Sequence, residues 1–371
     1  MARSARSTGP EQERALVVAV DLQRPNRALD AELAEYEALI EATGAVVADR
    51  IVQRLAAVDP ATLVGSGKAR EIAERAAEIG ATKVFVFNDL RPRQRTNLEK
   101  IIPLPIVDRT MVILDIFAQR ARSREGQLQV ELAQLRHRQA NLIGVGAALS
   151  RLGGGVGTRG PGETKLETDR RRIQDRVSVL RGALEEVRRS RAVRRAPRGE
   201  APLVALVGYT NVGKSSLLNR LARSVPSARA FVADQPFATL DPTLRRVYVA
   251  PGRTLRMADT VGFITELPKE LVTAFRATLE ELEGADLLVH VLDASNPDWP
   301  RQAQSVAAIL TELHLDGKPM ITVFNKSDLA AKGPSQPDGA IAVSAATGAG
   351  LDALRAAIAR RLDLATEASP T

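Results

Sequence analysis

Short apolar runs alternate with amphipathic segments over the first hundred residues of the chain. The runs are rich in β-branched residues, which favour strands, and the segments between them have helical spacing. Strands are predicted at residues 15–20, 45–51, 83–87 and 105–107. Helices are predicted at residues 31–42, 69–79 and 94–100. This alternation predicts a small parallel sheet with crossover helices.

The middle of the chain has helical periodicity only. Helices are predicted at 109–121 and 126–149, and a third at 164–195 carries apolar positions at steps of seven, four, three, four and three. These positions are Leu166, Ile173, Val177, Leu180, Leu184 and Val187. Such a seam suits one partner helix, and the stretch 151–162 is too rich in glycine for either kind of regular element. We therefore expect an antiparallel helical hairpin with a glycine-rich tip at 151–163.

The last third of the chain alternates again between strand and helix patterns. Strands are predicted at 203–207, 243–250, 254–258, 287–292, 319–324 and 340–343. Helices are predicted at 213–223, 270–283, 301–313 and 351–362. The expected division is a flexible leader (1–13), an N-terminal α/β domain (14–118), the hairpin (119–196), a second α/β domain (197–365) and a tail (366–371).

Composition narrows the class of protein. Of the 371 residues 44% are apolar and 26% charged, which is ordinary for a globular chain. No apolar run is long enough to span a membrane, and the basic start leads into no secretory apolar core. The chain has no cysteine, which fits a reducing cytoplasm and excludes thiolate metal sites. We expect a cytoplasmic protein, monomeric and without a membrane span.

Positive charge is concentrated in the N-terminal half. The net charge is +8, but residues 1–199 carry 35 Lys and Arg against 25 Asp and Glu, and residues 200–371 carry 17 against 19. A basic half favours a polyanionic partner. A basic surface that serves only solubility is the alternative.

The motif G-x-x-x-x-G-K-[ST] follows the first apolar run of the C-terminal domain. It comprises Gly208, Tyr209, Thr210, Asn211, Val212, Gly213, Lys214 and Ser215. Its strand–loop–helix context is the one that a phosphate-binding loop requires. Backbone N–H groups would surround the phosphates, Lys214 would reach the β- and γ-phosphates, and the Ser215 hydroxyl would bind Mg²⁺.

A second motif, Asp-x-x-Gly, ends a predicted strand and is made of Asp259, Thr260, Val261 and Gly262. The Asp259 carboxylate could hold Mg²⁺ through water, and the Gly262 N–H could bind the γ-phosphate, as in switch proteins. Thr239, in the loop before it, is the candidate second magnesium ligand. Thr243 is the alternative.

Two further motifs concern the base of the nucleotide. Asn325, Lys326, Ser327 and Asp328 follow one strand, and Ser344, Ala345 and Ala346 follow the next. A carboxylate at Asp328 can accept hydrogen bonds from guanine N1–H and its amino group, and a buried carboxylate left unpaired by adenine would cost several kcal/mol, roughly. Together the four motifs predict a protein that binds GTP and GDP with Mg²⁺.

The hydrolytic machinery is less complete. In Ras-like proteins a glutamine after Asp-x-x-Gly orients the attacking water, but here that position is Phe263. We therefore predict slow unassisted hydrolysis and assign no catalytic residue, with Lys214, Thr239 and Gly262 supporting the transition state. Asn211 resembles an asparagine that some GTPases use to hold K⁺.

The chain resembles the HflX family within the Obg–HflX group of GTPases. The resemblance lies in Phe237, Ala238, Thr239, Leu240 and Asp241, in the Asp-x-x-Gly-Phe sequence, and in the stretch 153–171, which reads GGGVGTRGPGETKLETDRR. It implies a P-loop GTPase domain preceded by a small parallel α/β domain and an antiparallel helical hairpin. It also implies nucleotide contacts at these residues, binding to the large (50S) ribosomal subunit and splitting of stalled 70S ribosomes. Some members have a further C-terminal domain, which this chain does not continue into.

Basic residues surround the glycine-rich tip. They are Arg151, Arg159, Lys165, Arg170, Arg171 and Arg172. A loop without bulky side chains can approach an RNA backbone while arginines neutralise phosphates, so we predict rRNA binding here. A flexible hinge with a solvated basic face is the alternative. An Obg-like assembly factor and a non-catalytic rRNA-binding scaffold are the other candidate functions, and a membrane signalling GTPase is disfavoured because no lipidation motif is present.

Two other glycine clusters are weaker candidates for nucleotide-binding motifs. Gly65, Ser66, Gly67 and Lys68 suggest a second phosphate loop, but Thr62 stands at its first glycine position, and we expect the start of a helix. Residues 153–157 resemble a dinucleotide-binding fingerprint, yet no strand precedes them.

Overall fold

The N-terminal sheet contains β1 (Arg14–Asp21), β2 (Val46–Arg54), β3 (Lys83–Val86) and β4 (Ile106–Asp108). The computed structural model describes residues 12–23, 28–150, 161–194, 201–222, 237, 243–264, 282–330 and 339–367. The strand order is β2-β1-β3-β4, and all pairs are parallel. The connecting helices are α1 (Leu29–Ala42), α2 (Ser66–Glu78) and α3 (Pro92–Ile101). The predicted parallel sheet with crossover helices is confirmed, with ends shifted by a few residues.

Both faces of this sheet are covered by apolar side chains. On one face Leu16, Val18 and Val20 pack in a cluster with Ile72 of α2 and Leu98 of α3. On the other face Tyr36 of α1 is fully buried and its hydroxyl donates to the Val86 carbonyl over 3.0 Å. Burial raises the pKa of Tyr36, so the hydroxyl stays a donor.

The second glycine-lysine cluster begins a helix, as expected. Gly65 is the residue before the first turn of α2, and Lys68 lies within that turn. The Lys68 ammonium pairs with Glu71 at 2.5 Å. The charge of Lys68 is therefore paired with a residue of the same helix.

Three helices occupy the middle of the chain: α4 (Arg109–Arg120), α5 (Arg124–Ser150) and α6 (Pro161–Arg194). Helix α6 begins three residues earlier than predicted, because proline is well tolerated in a first helical turn. Ile173, Val177 and Leu180 of its predicted seam are buried, whereas Val179 is 61% exposed. The residues 151–160 that include most of the predicted tip lie outside the described residues.

By its internal contacts the chain divides into two units. One comprises Met1–Ile116 and Leu132–Val179, and the other comprises Phe117–Glu131 and Leu180–Thr371. The domain boundaries predicted from the sequence stay a prediction.

The second sheet contains β5 (Leu203–Gly208), β6 (Thr243–Ala250), β7 (Arg253–Asp259), β8 (Leu287–Asp293), β9 (Met320–Asn325) and β10 (Ile341–Ala342). Its order is β10-β9-β8-β5-β7-β6, and β6 alone runs antiparallel to its neighbour. The helices α7 (Lys214–Leu221), α8 (Trp299–Glu312) and α9 (Leu351–Glu367) accompany it. Most of the helix predicted at 270–283 lies outside the described residues.

The central strands of this sheet decide where the site lies. Every residue of β5 and β8 is buried, as expected for parallel strands covered on both faces. Each predicted strand of this domain is present. The carboxyl ends of β5, β8 and β9 lie at one edge of the sheet, which is where ligands bind in open α/β folds.

Candidate nucleotide-binding site

The loop between β5 and α7 holds a buried lysine. Lys214 is 6% exposed and its ammonium donates to the carbonyls of Gly208 (3.1 Å) and Tyr209 (2.7 Å). Burial lowers the pKa of Lys214 to about 8, and the charge of Asp259 opposes this shift. The loop therefore holds a cation that can exchange carbonyl acceptors for the stronger phosphate oxygens.

Two positions of this loop require glycine, because neighbouring atoms leave no room for a Cβ. Gly213 has φ +89°, and a Cβ there would lie 2.3 Å from Nδ2 of Asn325. A Cβ on Gly208 would lie 2.3 Å from the Val291 carbonyl oxygen of β8. The motif glycines thus let the loop pass close to two neighbouring strands.

The oxygens at the end of β7 fit a divalent cation. The Ser215 hydroxyl donates to Oδ2 of Asp259 over 2.5 Å, and Asp259 is fully buried. A hydroxyl and a carboxylate in contact are the hard oxygen ligands that Mg²⁺ prefers. Thr243, the alternative second ligand, lies opposite Asp259 in the β6–β7 register, whereas Thr239 lies outside the described residues.

The segment after Asp259 contacts the phosphate loop through its backbone. Thr260 donates from its hydroxyl to the Leu206 carbonyl at 2.6 Å. A Cβ on Gly262 would lie 2.8 Å from Cα of Thr210 and 3.2 Å from the Lys214 ammonium. The Gly262 backbone therefore lies close to the Lys214 ammonium, as the predicted switch motif requires.

Phe263 is buried at 2% exposure. Its N–H donates to the Gly208 carbonyl at 3.1 Å, and its carbonyl accepts from the Thr210 N–H at 2.8 Å. Its ring offers no hydrogen-bonding group, so it cannot orient a water molecule. Its backbone instead ties the switch motif to the phosphate loop.

Asn325 joins three of the motifs. Its side-chain amide donates to the Val212 carbonyl at 2.8 Å, and its side-chain oxygen accepts from the Ala345 N–H at 3.0 Å. Asn325 is 2% exposed. It therefore connects the phosphate loop, its own motif and the loop after β10.

The other residues predicted to contact the base lie in the same two loops as Asn325 and Ala345. Lys326 has φ +60° and its ammonium pairs with Asp293 at 2.8 Å. Ser344 is buried and accepts from the Thr347 N–H at 3.0 Å, while Ala346 is exposed. Ser327 donates its N–H to the Val343 carbonyl.

The Asp328 side chain is exposed. The expectation of a buried carboxylate therefore needs correction. Position 328 follows the end of β9 in a surface loop, so water covers the carboxylate. If Asp328 reads the base as predicted, its desolvation would have to come from a base placed over it.

Sequence reasoning missed one buried residue near the site, His290, and gave no sign of how another, Phe237, packs. His290 of β8 is 6% exposed, and burial together with the charge of Lys214 lowers its pKa to about 4. Phe237 has φ +55°, is 2% exposed and packs edge-to-face on Phe117 with centroids 4.6 Å apart. An apolar run with one histidine inside it was the available signal for His290. Phe237 was already a predicted nucleotide contact, but its packing on Phe117 has no local signal. Ala238, Leu240 and Asp241 lie outside the described residues.

The predicted RNA-binding residues are described in part. Arg170, Arg171 and Arg172 are exposed on α6, and Arg172 lies 3.8 Å from Asp169. Lys165 lies in the same helix, and Arg151 and Arg159 lie outside the described residues. Within the described part of the chain, no helix is long and apolar enough to cross a membrane.

Comparison with known families matches three successive segments. Residues 30–118 match the family described as GTP-binding GTPase N-terminal, residues 120–198 the GTP-binding GTPase middle region, and residues 203–326 the 50S ribosome-binding GTPase. The crystal structure of SsGBP in complex with GDP is similar at a TM-score of 0.50 and 24% identity, over 96% of this chain and 100% of that chain. At that identity the likeness concerns the fold.

Fold, motifs and segment matches together define a P-loop GTPase, an enzyme that binds and hydrolyses GTP. Two relatives identify the family. GTPase HflX of Lacrimispora saccharolytica is 47% identical over 349 residues, covering 92% of this chain and 81% of the relative. GTPase HflX of Escherichia coli is 44% identical over 340 residues, covering 89% and 79%. The chain belongs to the HflX family of GTPases.

Proposed function

We propose that this GTPase is a switch that docks on the large ribosomal subunit and its rRNA in the GTP-bound form, splits stalled or stressed 70S ribosomes and leaves after hydrolysis. The observation that carries the proposal is the match of residues 203–326 to a family described as 50S ribosome-binding GTPase. The basic N-terminal half supports a polyanionic partner. The absence of cysteine from the sequence favours the reducing cytoplasm as its compartment.

We assign the nucleotide contacts to the four motifs and to residues 237–241. In this proposal the backbone before Lys214 and the Lys214 ammonium bind the phosphates. Asn325 positions the loops around the base, and Asp328 accepts from guanine. The Lys326 stem covers the base plane while its ammonium stays on Asp293, at 2.8 Å. The N–H of Ala345 or Ala346 faces guanine O6.

We assign Mg²⁺ to Ser215 and Thr239, with Asp259 behind a water molecule. When bound by these residues, Mg²⁺ would supply positive charge that neutralises the phosphates. Gly262 then donates its N–H to the γ-phosphate, and Lys214 stabilises the charge that develops on it. Phe263, directly after Gly262, has no hydrogen-bonding group and cannot orient the attacking water, so another residue or a partner has to do so. Slow unassisted turnover, accelerated by the docked ribosome, follows from this arrangement.

GTP turnover with and without large subunits tests the proposal. We expect purified 50S subunits to raise turnover strongly and 30S subunits to leave it unchanged. Equal turnover with and without 50S subunits would point to a scaffold in which GTP only sets affinity. Light scattering of 70S particles with a non-hydrolysable GTP analogue separates the third alternative, since an assembly factor of the Obg kind would leave them intact.

The role of α6 has its own test. Changing Arg170, Arg171 and Arg172 to Gln should weaken ribosome binding and reduce the slope of log K against log salt by about 2. A triple change at the exposed Arg246, Arg360 and Arg361 removes the same charge elsewhere and serves as the control. Equal losses in both triples would assign the effect to net charge rather than to α6.

A further inference from the structure

A partly open cavity of about 460 Å³ lies in the N-terminal unit. Phe85 of β3 and Val107 of β4 line it, and these residues are neighbours in the parallel register. Met111 and Leu114 of α4 also line it. The volume lies within the range of small-molecule pockets, roughly 300–1,000 Å³. One side of the cavity is therefore apolar and partly aromatic.

The side of the cavity formed by α5 is polar. Gln134, His137, Arg138 and Asn141 line it at the spacing of a single helix face. His137 is held at both ring nitrogens, with Nε2 3.5 Å from Oδ2 of Asp108 and Nδ1 3.4 Å from Nδ2 of Asn141. This wall presents amide, imidazole and guanidinium groups opposite the apolar wall, which suits a flat molecule with one polar edge.

Some charged side chains that line the cavity are paired with an opposite charge and others are not. Lys83 is paired with both carboxylate oxygens of Glu13, at 2.6 and 2.7 Å. Arg95 is paired with Asp108, and its Nε is buried without an acceptor among the described residues. Asp115 has a contact of its own. Among the described lining residues, Arg138 is exposed and has no carboxylate partner.

We propose that this cavity binds a small, flat, largely apolar molecule that carries one negative charge. Phe85 and Val107 contact its apolar face, and Arg138 receives the anionic group. Gln134 and Asn141 bond its polar edge. A monoanion matches the guanidinium of Arg138, whereas a doubly charged ligand would also face the carboxylate of Asp115, which lines the cavity. None of the residues that line the cavity belongs to a nucleotide motif.

The test uses a pair of probes that differ only in charge. 8-Anilinonaphthalene-1-sulfonate is such a flat monoanion, and N-phenyl-1-naphthylamine is the same body without the sulfonate. Fluorescence titrations are made on the full chain with saturating GDP and Mg²⁺, so that the nucleotide site is occupied. We expect one sulfonate bound per chain, and a roughly tenfold weaker affinity in Arg138→Gln, the low end for a hydrogen bond to a charged group. The neutral probe should bind the wild type and Arg138→Gln equally.

Two further variants make the result specific. Arg124→Gln removes an exposed arginine of the same helix that does not line the cavity, and it should leave both affinities unchanged. Val107→Phe fills the cavity and should abolish binding of both probes, while GDP affinity shows that the chain is folded. Should that variant not fold, methyl NMR shifts of Met111 and Leu114 in the wild type locate the probe. The proposal is overturned if no sulfonate binds beside GDP, if those methyl groups do not shift, or if Arg138→Gln and Arg124→Gln bind alike.

Discussion

Replacement of Gly213 by alanine would disturb the contact between the phosphate loop and Asn325. The new Cβ would lie 2.3 Å from Nδ2 of Asn325. Real carbon atoms do not approach so closely, so the amide has to move. Asn325 is 2% exposed and makes hydrogen bonds to Val212 and Ala345, at 2.8 and 3.0 Å. Its displacement therefore breaks both contacts.

The expected free-energy cost of Gly213→Ala has two parts. Alanine at φ +89° carries the left-handed backbone cost of about 1–2 kcal/mol. The two lost hydrogen bonds add about 1 kcal/mol each. Gly252→Ala is the matched control, because Gly252 has φ +72° and nothing within 4 Å of its added Cβ. The difference between the variants isolates about 2 kcal/mol, or roughly 30-fold in the dissociation constant of GDP.

Equilibrium titration with a fluorescent GDP analogue measures the affinities, and urea unfolding measures stability. We expect both variants to lose stability and Gly213→Ala alone to lose affinity. If Gly213→Ala bound GDP as tightly as Gly252→Ala, Asn325 would not be the connector that its contacts indicate.

Three further results are expected. Asp328→Asn should weaken GTP at least tenfold or so and admit xanthosine triphosphate, because a charged acceptor is lost from the guanine edge; unchanged GTP affinity in a competition assay would refute the assignment. The pKa of His290 is about 4 in the fold against 6.5 when unfolded, so the unfolded chain takes the proton first and stability falls as the pH drops from 6.5 to 4. Urea unfolding should show this loss, about 3 kcal/mol, in the wild type and not in His290→Gln, and parallel pH profiles would contradict it. GTP turnover should be faster in K⁺ than in Na⁺, and Asn211→Ala should remove the difference; identical rates of the wild type in both salts would exclude the ion.

Local sequence patterns were sufficient to predict the helices and strands and the phosphate loop. Lys214 and Gly213 stand in a motif of fixed spacing, and the strand before them is a continuous apolar run, so their placement depends on neighbours in sequence. Even the three-residue strand β4 (Ile106–Asp108) was predicted nearly in place. Its apolar residues lie between a proline and a helix start, which limits the alternatives.

Long-range contacts were not predictable in this way. The bond from Asn325 to Val212 joins residues 113 positions apart, and the packing of Phe237 on Phe117 likewise leaves no periodic signal. Asp328 was expected to be buried but is exposed, because a motif shows which group is present and not how much water surrounds it. The cavity beside Arg138 arises from register and helix placement together, which no single segment encodes.

The burial of Phe263 has a consequence for how such a chain can evolve. At 2% exposure this side chain is part of the interior, so a glutamine there would place an uncompensated amide in an apolar environment. A Phe263→Gln substitution that supplied a water-orienting side chain would therefore also destabilise the fold. In the proposed cycle the timing of hydrolysis would then be set by the surface that the protein docks against, and selection could adjust that timing without altering the enzyme's core.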